Sequence, residues 1–399
     1  MSFAIALSGL QAVNDQLDTV SNNIANAGTF GFKSSRANFS SVYAGSQASG
    51  VEVSSLTQSI GLGGSVSSTG GALDAAIDGR GFFVSRDASG ALNYSRVGIF
   101  SASKDGLLLD SNGRTVQGFG ASRGGAMGTL GDIVIPTGQI AAQASTQIAY
   151  VGNLSADWKA PAVAPFDYNN SKTYNLAKQT VLFDSLGSKH TVTQYFAKEP
   201  GNNVKIYYGF DGAAPVDSST LQFDNMGQLI GDPVTKQYPP VALTLTPTNG
   251  AAPLPFTIDY TNTTLFAGEA LTTVNNSDGF ASGTLVGVEV AEDGSVLAKY
   301  SNEQKQVVGT VAVATFADEG ALTAVGDTSW VASTASGVAL YGVPGVGLSG
   351  KLNTGALEGS NVDITGELVG LMTSQRNYQA NSKVISTENA MMQALMQAM

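Results

Sequence analysis

The apolar positions near the N-terminus repeat with alternating spacings of three and four residues. This repeat consists of Phe3, Ala6, Leu10, Val13, Leu17, Val20 and Ile24. A heptad repeat of this kind lies along one face of an α-helix. The sequence therefore predicts an N-terminal helix, which ends among the asparagines and glycines between Asn22 and Gly31.

A second heptad repeat occupies the C-terminal end of the chain. One of its positions is apolar or aromatic throughout: Ile364, Leu371, Tyr378, Ile385, Met392 and Met399. Its partner position is mixed: Leu368, Gln375, Ser382, Asn389 and Met396. Polar residues within such a seam weaken the hydrophobic core of a lone helix but specify the register of packed helices. The pattern predicts a long helix, capped by Asn361 or Asp363, that docks on its own domain or joins a multi-helix assembly.

Two heptad helices at opposite ends of one chain favour pairing between the termini. We therefore predict an assembly interface made of the apolar members of both repeats. Its predicted residues are Phe3, Leu10, Val13, Leu17, Val20, Ile24, Ile364, Leu368, Leu371, Tyr378, Ile385, Met392 and Met396. Polar residues in the seam are expected to set the register by hydrogen bonding between helices.

The region between the two repeats has the pattern of short β-strands. Residues 82–84 form an apolar run, and residues 286–290 alternate apolar and small or polar side chains. Turn-forming pairs recur at Asp105-Gly106, Asn112-Gly113, Asn249-Gly250 and Asp293-Gly294. Such pairs between strand-like runs indicate tight hairpins. Prolines concentrate between residues 136 and 255, which suggests an inserted all-β domain.

The predicted fold is mixed and mainly β, with terminal α-helices that form a coiled-coil-like layer and two nested β-rich domains. The terminal helical and extended segment comprises residues 1–71 and 359–399. The inner β domain is discontinuous and comprises residues 72–147 and 283–358. The inserted outer β domain comprises residues 148–282.

The composition suits short strands and tight turns, or a surface that is covered by other subunits. Charged residues make up 13% of the 399 residues, compared with about 25% in typical soluble proteins. The net charge is −11 and no cluster of Lys and Arg occurs, so nucleic-acid binding is not expected. The absence of cysteine excludes disulfides, thiolate metal sites and cysteine catalysis.

The N-terminus lacks the features of a secretory signal. Lys33 is the first basic residue, so no positively charged region precedes an apolar stretch. No apolar run approaches the roughly 18 residues that cross a bilayer. We therefore expect no membrane insertion, and we expect that export would require a dedicated apparatus.

The motifs that resemble catalytic sites give only weak support for an enzymatic function. Residues 120–124 fit the G-x-S-x-G pattern around Ser122, but a glycine-rich stretch follows where the motif needs a helix. His190 is the only histidine and lies in a turn that enters a strand. Ser101 and Lys104 match S-x-x-K without the accompanying motifs, which favours a strand end before a turn. We expect neither catalysis nor a metal or other cofactor.

Residues 17–33 (LDTVSNNIANAGTFGFK) resemble the signature of the flagellar rod and hook axial proteins. The residues that carry this motif are Asn22, Asn23, Ile24, Ala25, Asn26, Gly31 and Lys33. Residues 355–363 (GALEGSNVD) resemble the closing segment of the same family, and residues 300–304 (YSNEQ) resemble a motif of its hook-type members. The resemblance covers both ends and the inner β region.

The resemblance implies a structural subunit of the bacterial flagellum, not an enzyme. The long middle region favours a hook subunit, and the alternative is a distal-rod-type axial protein. A hook subunit would polymerise into a curved, hollow tube that acts as a universal joint between rod and filament. The implied partners are further copies of the chain, the distal rod protein, the hook cap protein, the hook–filament junction protein and the flagellar type III export apparatus. The implied location is extracellular, in the hook and basal body.

Overall fold

The computed structural model describes residues 2–44, 47–121, 128–231 and 238–398. The chain divides into two compact units, which are described separately below. Unit 1 comprises Met1–Thr137, Val286–Lys299 and Lys305–Met399. Unit 2 comprises Gly138–Leu285 and Tyr300–Gln304. The predicted outer-domain boundaries at residues 148 and 282 fall inside unit 2, and the further division of unit 1 into a helical segment and an inner β domain remains a prediction.

Unit 1 contains the two predicted helices, α1 (Ser2–Ala25) and α2 (Ile364–Ala398), which pack against each other. They run antiparallel, because Gly9 lies beside Asn381 and Val20 lies beside Gly370. Of the two predicted caps, Asp363 is the observed one, since its Oδ1 accepts a hydrogen bond from the amide of Thr365 at 3.0 Å. Among the described residues, no helix combines the length and the hydrophobicity that crossing a membrane requires.

Helix α2 is the longer of the pair, with 35 residues against 24 in α1. The antiparallel pairing places residue 381 beside residue 9 and residue 370 beside residue 20. Continued at this offset, the partner of the first residue of α1 lies near residue 388. The last turns of α2 therefore extend beyond α1, and residues 389–398 are exposed.

A long β-hairpin follows α1 and packs along it. Its strands are β1 (Ser35–Ala44) and β2 (Gln47–Gln58), which are antiparallel. The hydroxyl of Ser8 in α1 accepts a hydrogen bond from the amide of Val51 at 3.2 Å. Gly50 has φ +125°, and a Cβ there would lie 2.0 Å from the Ser8 hydroxyl. The backbone angle and the close approach both require glycine at this position.

The rest of unit 1 is built from short strands. Their ranges are β3 (Val66–Ser68), β4 (Ala75–Asp78), β5 (Phe82–Arg86), β6 (Leu92–Ser95), β7 (Phe100–Ala102), β8 (Leu108–Asp110), β9 (Thr115–Gly120) and β10 (Leu130–Asp132). The strands of unit 2 come next: β11 (Gln147–Asn153), β12 (Leu176–Phe183), β13 (Lys189–Lys198), β14 (Asn203–Phe210), β15 (Asp217–Gln222), β16 (Val241–Leu245), β17 (Leu254–Asp259) and β18 (Leu271–Ser277). The remaining strands, most of them in unit 1, are β19 (Leu285–Val290), β20 (Ser295–Tyr300), β21 (Lys305–Val311), β22 (Val313–Thr315), β23 (Thr323–Ala324), β24 (Ser329–Val331), β25 (Leu340–Gly342), β26 (Lys351–Thr354) and β27 (Ala356–Glu358).

The main sheet of unit 1 combines strands from both halves of the chain. Its principal path is β19-β20-β21-β9-β5-β6-β24-β23. Phe82, Tyr94, Phe316 and Trp330 form edge-to-face aromatic pairs in its core. The strands that lead towards the helices pair across the chain, β26 with β4 and β27 with β3. Unit 1 is therefore closed by contacts between the N- and C-terminal thirds of the sequence.

Unit 2 consists of two sheets around a single hydrophobic core. Their strand orders are β16-β17-β11-β18 and β12-β13-β14-β15. Inside the core, the hydroxyl of Tyr260 donates to Oε1 of Gln194 at 2.7 Å and lies 3.1 Å from the hydroxyl of Tyr208. The buried hydroxyls are thus hydrogen-bonded, as polar groups in an apolar core must be.

The turn pairs predicted from the sequence are confirmed. Gly106, Gly113, Gly250 and Gly294 have φ between +75° and +84°. This left-handed region favours glycine, which explains the Asp-Gly and Asn-Gly pairs. The mainly β fold with paired terminal helices is likewise confirmed.

Candidate assembly interface

The predicted seam of α1 is only partly buried within the unit. Val13 and Val20 are buried, while Leu10, Leu17 and Ile24 are half-buried. Phe3, at the start of the seam, is 45% exposed. Ala6, near the start of the seam, is also buried, so buried and half-buried positions alternate from Ala6 to Ile24.

The predicted seam of α2 is more exposed. Leu371 and Ile385 are half-buried against the rest of unit 1. The other predicted members are exposed: Ile364, Leu368, Tyr378, Met392 and Met396. Met399 lies outside the described residues. The structure thus brings part of the two seams together and leaves much of the α2 seam facing solvent.

Asn23 links the two helices to the β-hairpin. Its side chain is 1% exposed and bonds the backbone of Ser35 twice, by donating to the carbonyl oxygen at 2.8 Å and accepting from the amide at 2.9 Å. The same amide nitrogen donates to Oε1 of Glu367 in α2 at 2.9 Å. One buried amide therefore fixes three elements to each other.

A buried ionic cluster lies where the chain passes from α1 into the hairpin and where it returns towards α2. We call Lys33, Arg96 and Glu358 the junction cluster. Lys33 Nζ lies 2.5 Å from Oε1 of Glu358, and Arg96 Nη1 lies 3.4 Å from Oε2 of the same carboxylate. These side chains are at most 2% exposed. One carboxylate thus neutralises two cations that come from distant parts of the sequence.

Backbone carbonyl groups add further hydrogen bonds to the junction cluster. Lys33 also donates to the carbonyl oxygen of Leu62 at 2.7 Å, and Arg96 donates to that of Gly79 at 2.8 Å. Burial lowers the pKa of Lys33 and of Arg96, because a charged group loses hydration there. The attraction of Glu358 opposes both shifts. The cluster is therefore sensitive to the loss of its single carboxylate.

Two further residues fix the path of the chain next to the junction cluster. Gly31 has φ +68°, and its amide donates to the carbonyl oxygen of Glu358 at 2.8 Å. A Cβ on Gly31 would lie 2.8 Å from Cγ2 of Val97. Asn361 accepts from the amide of Ser34 at 2.7 Å and donates to the carbonyl oxygen of Ser59 at 2.9 Å. Asn361, the alternative predicted cap of α2, therefore ties the two terminal segments together.

The motif positions thus separate into two groups. The buried positions are Asn23, Gly31 and Lys33, each of which bonds a residue of the C-terminal segment. The exposed positions are Asn22 and Ala25 on α1. Asn26 is half-buried and donates to the side chain of Asn22 at 2.6 Å. Arg96 and Glu358 belong to this site, although neither is among the site residues predicted from the sequence. The signal for them is the presence of isolated charges in segments that otherwise read as buried strands.

Of the catalytic-like residues, Ser101, Lys104 and His190 lie within the described part of the chain. Ser103 accepts from the amide of Gly106 at 3.1 Å, so the segment of Ser101 and Lys104 is a strand end that enters a turn, as predicted. His190 contacts carboxylates at both ring nitrogens, with Nδ1 2.8 Å from Oδ2 of Asp211 and Nε2 3.2 Å from Oδ2 of Asp184. Ser122 lies outside the described residues. His190 therefore links turns of unit 2.

The environment of His190 makes the stability of unit 2 depend on pH. Burial disfavours the charged ring, but the hydrogen bonds to Asp211 and Asp184 outweigh burial and raise the pKa of His190. Burial likewise opposes charge on Asp184, yet hydrogen bonds from Asn249, Ser188 and His190 lower its pKa to about 2. A histidine with a raised pKa stabilises the fold below the unfolded pKa of about 6.5. This contribution is lost as the pH rises through the folded pKa.

We expect the urea concentration at the unfolding midpoint of unit 2 to decrease as the pH is raised from about 6 to about 9. Trp158 packs against the unit 2 core, so its fluorescence in a Trp330→Phe chain reports this unit selectively. The matched control is His190→Gln, whose midpoint should change much less over the same range. If the midpoint of the unsubstituted chain stays constant or rises with pH, the prediction is contradicted.

Four sequence models of known families match this chain, and together they span most of it. They are "Flagella basal body rod protein" at residues 3–33, "Flagellar hook protein FlgE/F/G D1 domain" at 76–156, "Flagellar basal body protein FlaE D2 domain" at 153–280 and "Flagellar basal body rod FlgEFG protein C-terminal" at 353–398. The first and last cover α1 and α2.

Curated relatives match over nearly the whole chain. The flagellar hook protein FlgE of Escherichia coli K12 is 36% identical and covers 99% of both chains. FlgE of Brucella suis is 31% identical over 98% of this chain and 96% of its own. A crystal structure of the Helicobacter pylori flagellar hook protein FlgE2 aligns with a TM-score of 0.51 at 11% identity, covering 72% of this chain and 99% of that chain. This last similarity concerns the fold alone.

Proposed function

Since this chain belongs to the flagellar hook protein FlgE family and is a structural subunit of the flagellar hook, we propose that its terminal helices form the subunit interface of the hook polymer. The hook-protein relatives match over nearly their whole length, which favours the hook subunit over the distal-rod-type alternative. Polymerised copies would form a curved, hollow tube that acts as a universal joint between rod and filament.

The observation that carries this proposal is the incomplete burial of the α2 seam. Leu368, Tyr378, Met392 and Met396 are exposed, although their heptad spacing is that of residues that pack between helices. Exposed apolar side chains in a row are costly in water and typical of an interaction surface. A pair of helices with so little burial of its own gains packing when neighbouring copies cover the seam.

The polar members of the same seam support a multi-helix assembly. Gln375, Ser382 and Asn389 are exposed and carry no charge. In an assembly such side chains can hydrogen-bond between helices, which specifies register and suppresses other alignments. A tube of identical subunits needs this specificity, since every copy must adopt the same offset.

We infer that the chain has no enzymatic role, and that it contacts the distal rod protein, the hook cap protein and the hook–filament junction protein. Export through the flagellar type III apparatus would precede assembly outside the cell. Export of the chain into the medium by a strain that lacks only the hook cap protein would test this route, and retention in the cytoplasm would contradict it.

Removing both terminal segments, residues 1–30 and 361–399, should yield a folded and monomeric β protein. The cores of the two units lie outside these segments, whereas the helices need neighbouring copies to bury their seams. Analytical ultracentrifugation, with circular dichroism as the check on folding, should show a monomer under conditions where the full chain polymerises. Polymers formed by the truncated chain would contradict the assignment of the interface to the terminal helices.

A further inference from the structure

A second apolar surface of unit 1 is independent of the terminal helices. Val338, Leu340, Val346 and Leu348 are 85%, 61%, 61% and 66% exposed, respectively, and we call them the edge patch. Single exposed aliphatic residues are ordinary on a protein surface. Four of them within residues 338–348 form a local concentration that marks an interaction site.

The loop that carries Val346 and Leu348 is held in one conformation. The amide of Gly345 donates to the carbonyl oxygen of Gly350 at 2.8 Å. Pro344, the residue before Gly345, is buried. Gly345 and Gly347 have φ of +72° and +66°, which residues with a Cβ rarely adopt. The loop thus presents two aliphatic side chains to solvent in a fixed arrangement. Such order in advance of binding lowers the entropic cost of a contact.

Leu340 belongs to the same surface as the loop. It lies in β25, and among the described strands β22 is the only one that pairs with β25. The other edge of β25 is therefore unpaired within the described residues. The loop folds back over the end of this strand, since a Cβ on Gly342 would lie 3.1 Å from the hydroxyl of Ser349. Leu340 and the loop thus lie at the same edge strand, and Val338 precedes that strand by two residues. An exposed apolar edge of this kind invites contact with another chain.

The charge distribution favours a second copy of this chain as the occupant. The chain carries a net charge of −11, so two copies repel each other over most of their surfaces. Residues 337–350 contain no charged side chain. Two acidic copies can therefore meet at this segment without burying an unpaired charge.

The size of the patch also fits contact within a polymer and not a stable dimer. A stable interface buries about 800 Å² on each partner, which is more than four side chains can supply. Such a contact becomes effective when another interface already holds the copies together at a high local concentration. We propose that the edge patch contacts a neighbouring copy of this chain in the hook, a contact that rests on the polymer proposed above.

The absence of cysteine allows a direct test with one introduced thiol. The full chain with Leu348→Cys is treated with a maleimide dye as monomer and as polymer assembled from the purified chain. We expect at least about tenfold slower labelling in the polymer, because a neighbouring copy covers the thiol. Equal labelling rates would overturn the proposal. Protection only in hooks isolated from cells would also overturn it, and would assign the patch to a different protein.

A second experiment measures how much the edge patch contributes to the stability of the polymer. Leu340→Ser combined with Leu348→Ser should raise the concentration needed for polymerisation about tenfold or more, since two buried leucines are lost from each contact. Both sites are exposed, so the monomer should unfold at an unchanged urea concentration. An unchanged critical concentration would overturn the proposal. A failure of the unsubstituted chain to polymerise would instead refute the proposed function, and this contact with it.

Discussion

Replacing Glu358 with glutamine is expected to destabilise unit 1 by about 3 kcal/mol or more, because it removes one partner of a buried ion pair. Glu358 is the carboxylate that faces both Lys33 and Arg96, and the side chains of this cluster are at most 2% exposed. Glutamine keeps the size of the side chain, so the change isolates the charge from the packing. Two buried cations would then lose the carboxylate that pairs with them directly.

The loss should appear in the urea unfolding of unit 1. Trp330 is buried in the core of this unit, so its fluorescence in a Trp158→Phe chain follows unit 1 selectively. The matched control is Glu289→Gln, which removes a more exposed carboxylate paired with Lys299 and Lys305. That change should cost no more than about 1 kcal/mol. Equal effects of the two substitutions would contradict the role assigned to the junction cluster.

A double substitution separates charge from other causes. Lys33→Met in the Glu358→Gln background removes one of the uncompensated cations. We expect it to restore part of the lost stability, although each single change is destabilising. Such non-additivity is the signature of two groups that interact directly. Additive losses would show that the destabilisation has another origin.

The second large effect is expected from Leu371→Asp in α2. Leu371 is half-buried in unit 1 and belongs to the predicted seam. An unpaired carboxylate in a packed interface costs several kcal/mol, mainly through lost hydration. At about 1.4 kcal/mol per tenfold change, the concentration needed for polymerisation should rise more than about 100-fold. The β strands of both units should keep their stability, as followed by Trp330 and Trp158.

The matched control for this change is Leu371→Met. It conserves size and hydrophobicity, so polymerisation should continue at close to the unsubstituted concentration. Ile385→Asp, at the other half-buried position of the α2 seam, should repeat the effect of Leu371→Asp. Electron microscopy showing tubes from either aspartate variant at the unsubstituted concentration would place these side chains in solvent and refute the predicted seam.

The helices and the turns could be predicted because their signals are local. The heptad spacing from Phe3 to Ile24 specifies one helix face within a few residues, and the resulting helix is Ser2–Ala25. The Asp293-Gly294 pair likewise predicts a turn, and Gly294 has the left-handed backbone angle that this turn requires, with φ +82°. In both cases the physical cause and the sequence signal occupy the same short segment.

The junction cluster could not be predicted in this way, because its members lie far apart in sequence. Lys33 and Glu358 are separated by 325 residues, and no periodicity connects them. Each appears in the sequence as a single charge near a turn or strand end. Their pairing depends on the antiparallel closure of unit 1 by β26 with β4 and β27 with β3. Long-range strand pairing of this kind leaves no local pattern.

The length by which α2 extends beyond α1 likewise could not be predicted from the sequence. Both repeats indicate helices, but neither specifies the offset at which they pair. That offset follows from the close approach of Gly9 to Asn381 and from the bond between Asn23 and Glu367. As a consequence Met392 and Met396, which were predicted to be in an interface, are exposed in the single chain.

Electron cryomicroscopy of the polymer formed by the purified, unsubstituted chain tests the central claim most directly. We expect a hollow tube in which α1 and α2 of neighbouring copies pack together, with Leu368, Tyr378, Met392 and Met396 buried between subunits. A tube in which these side chains remain in solvent, or in which the terminal helices do not contact neighbouring copies, would contradict the account.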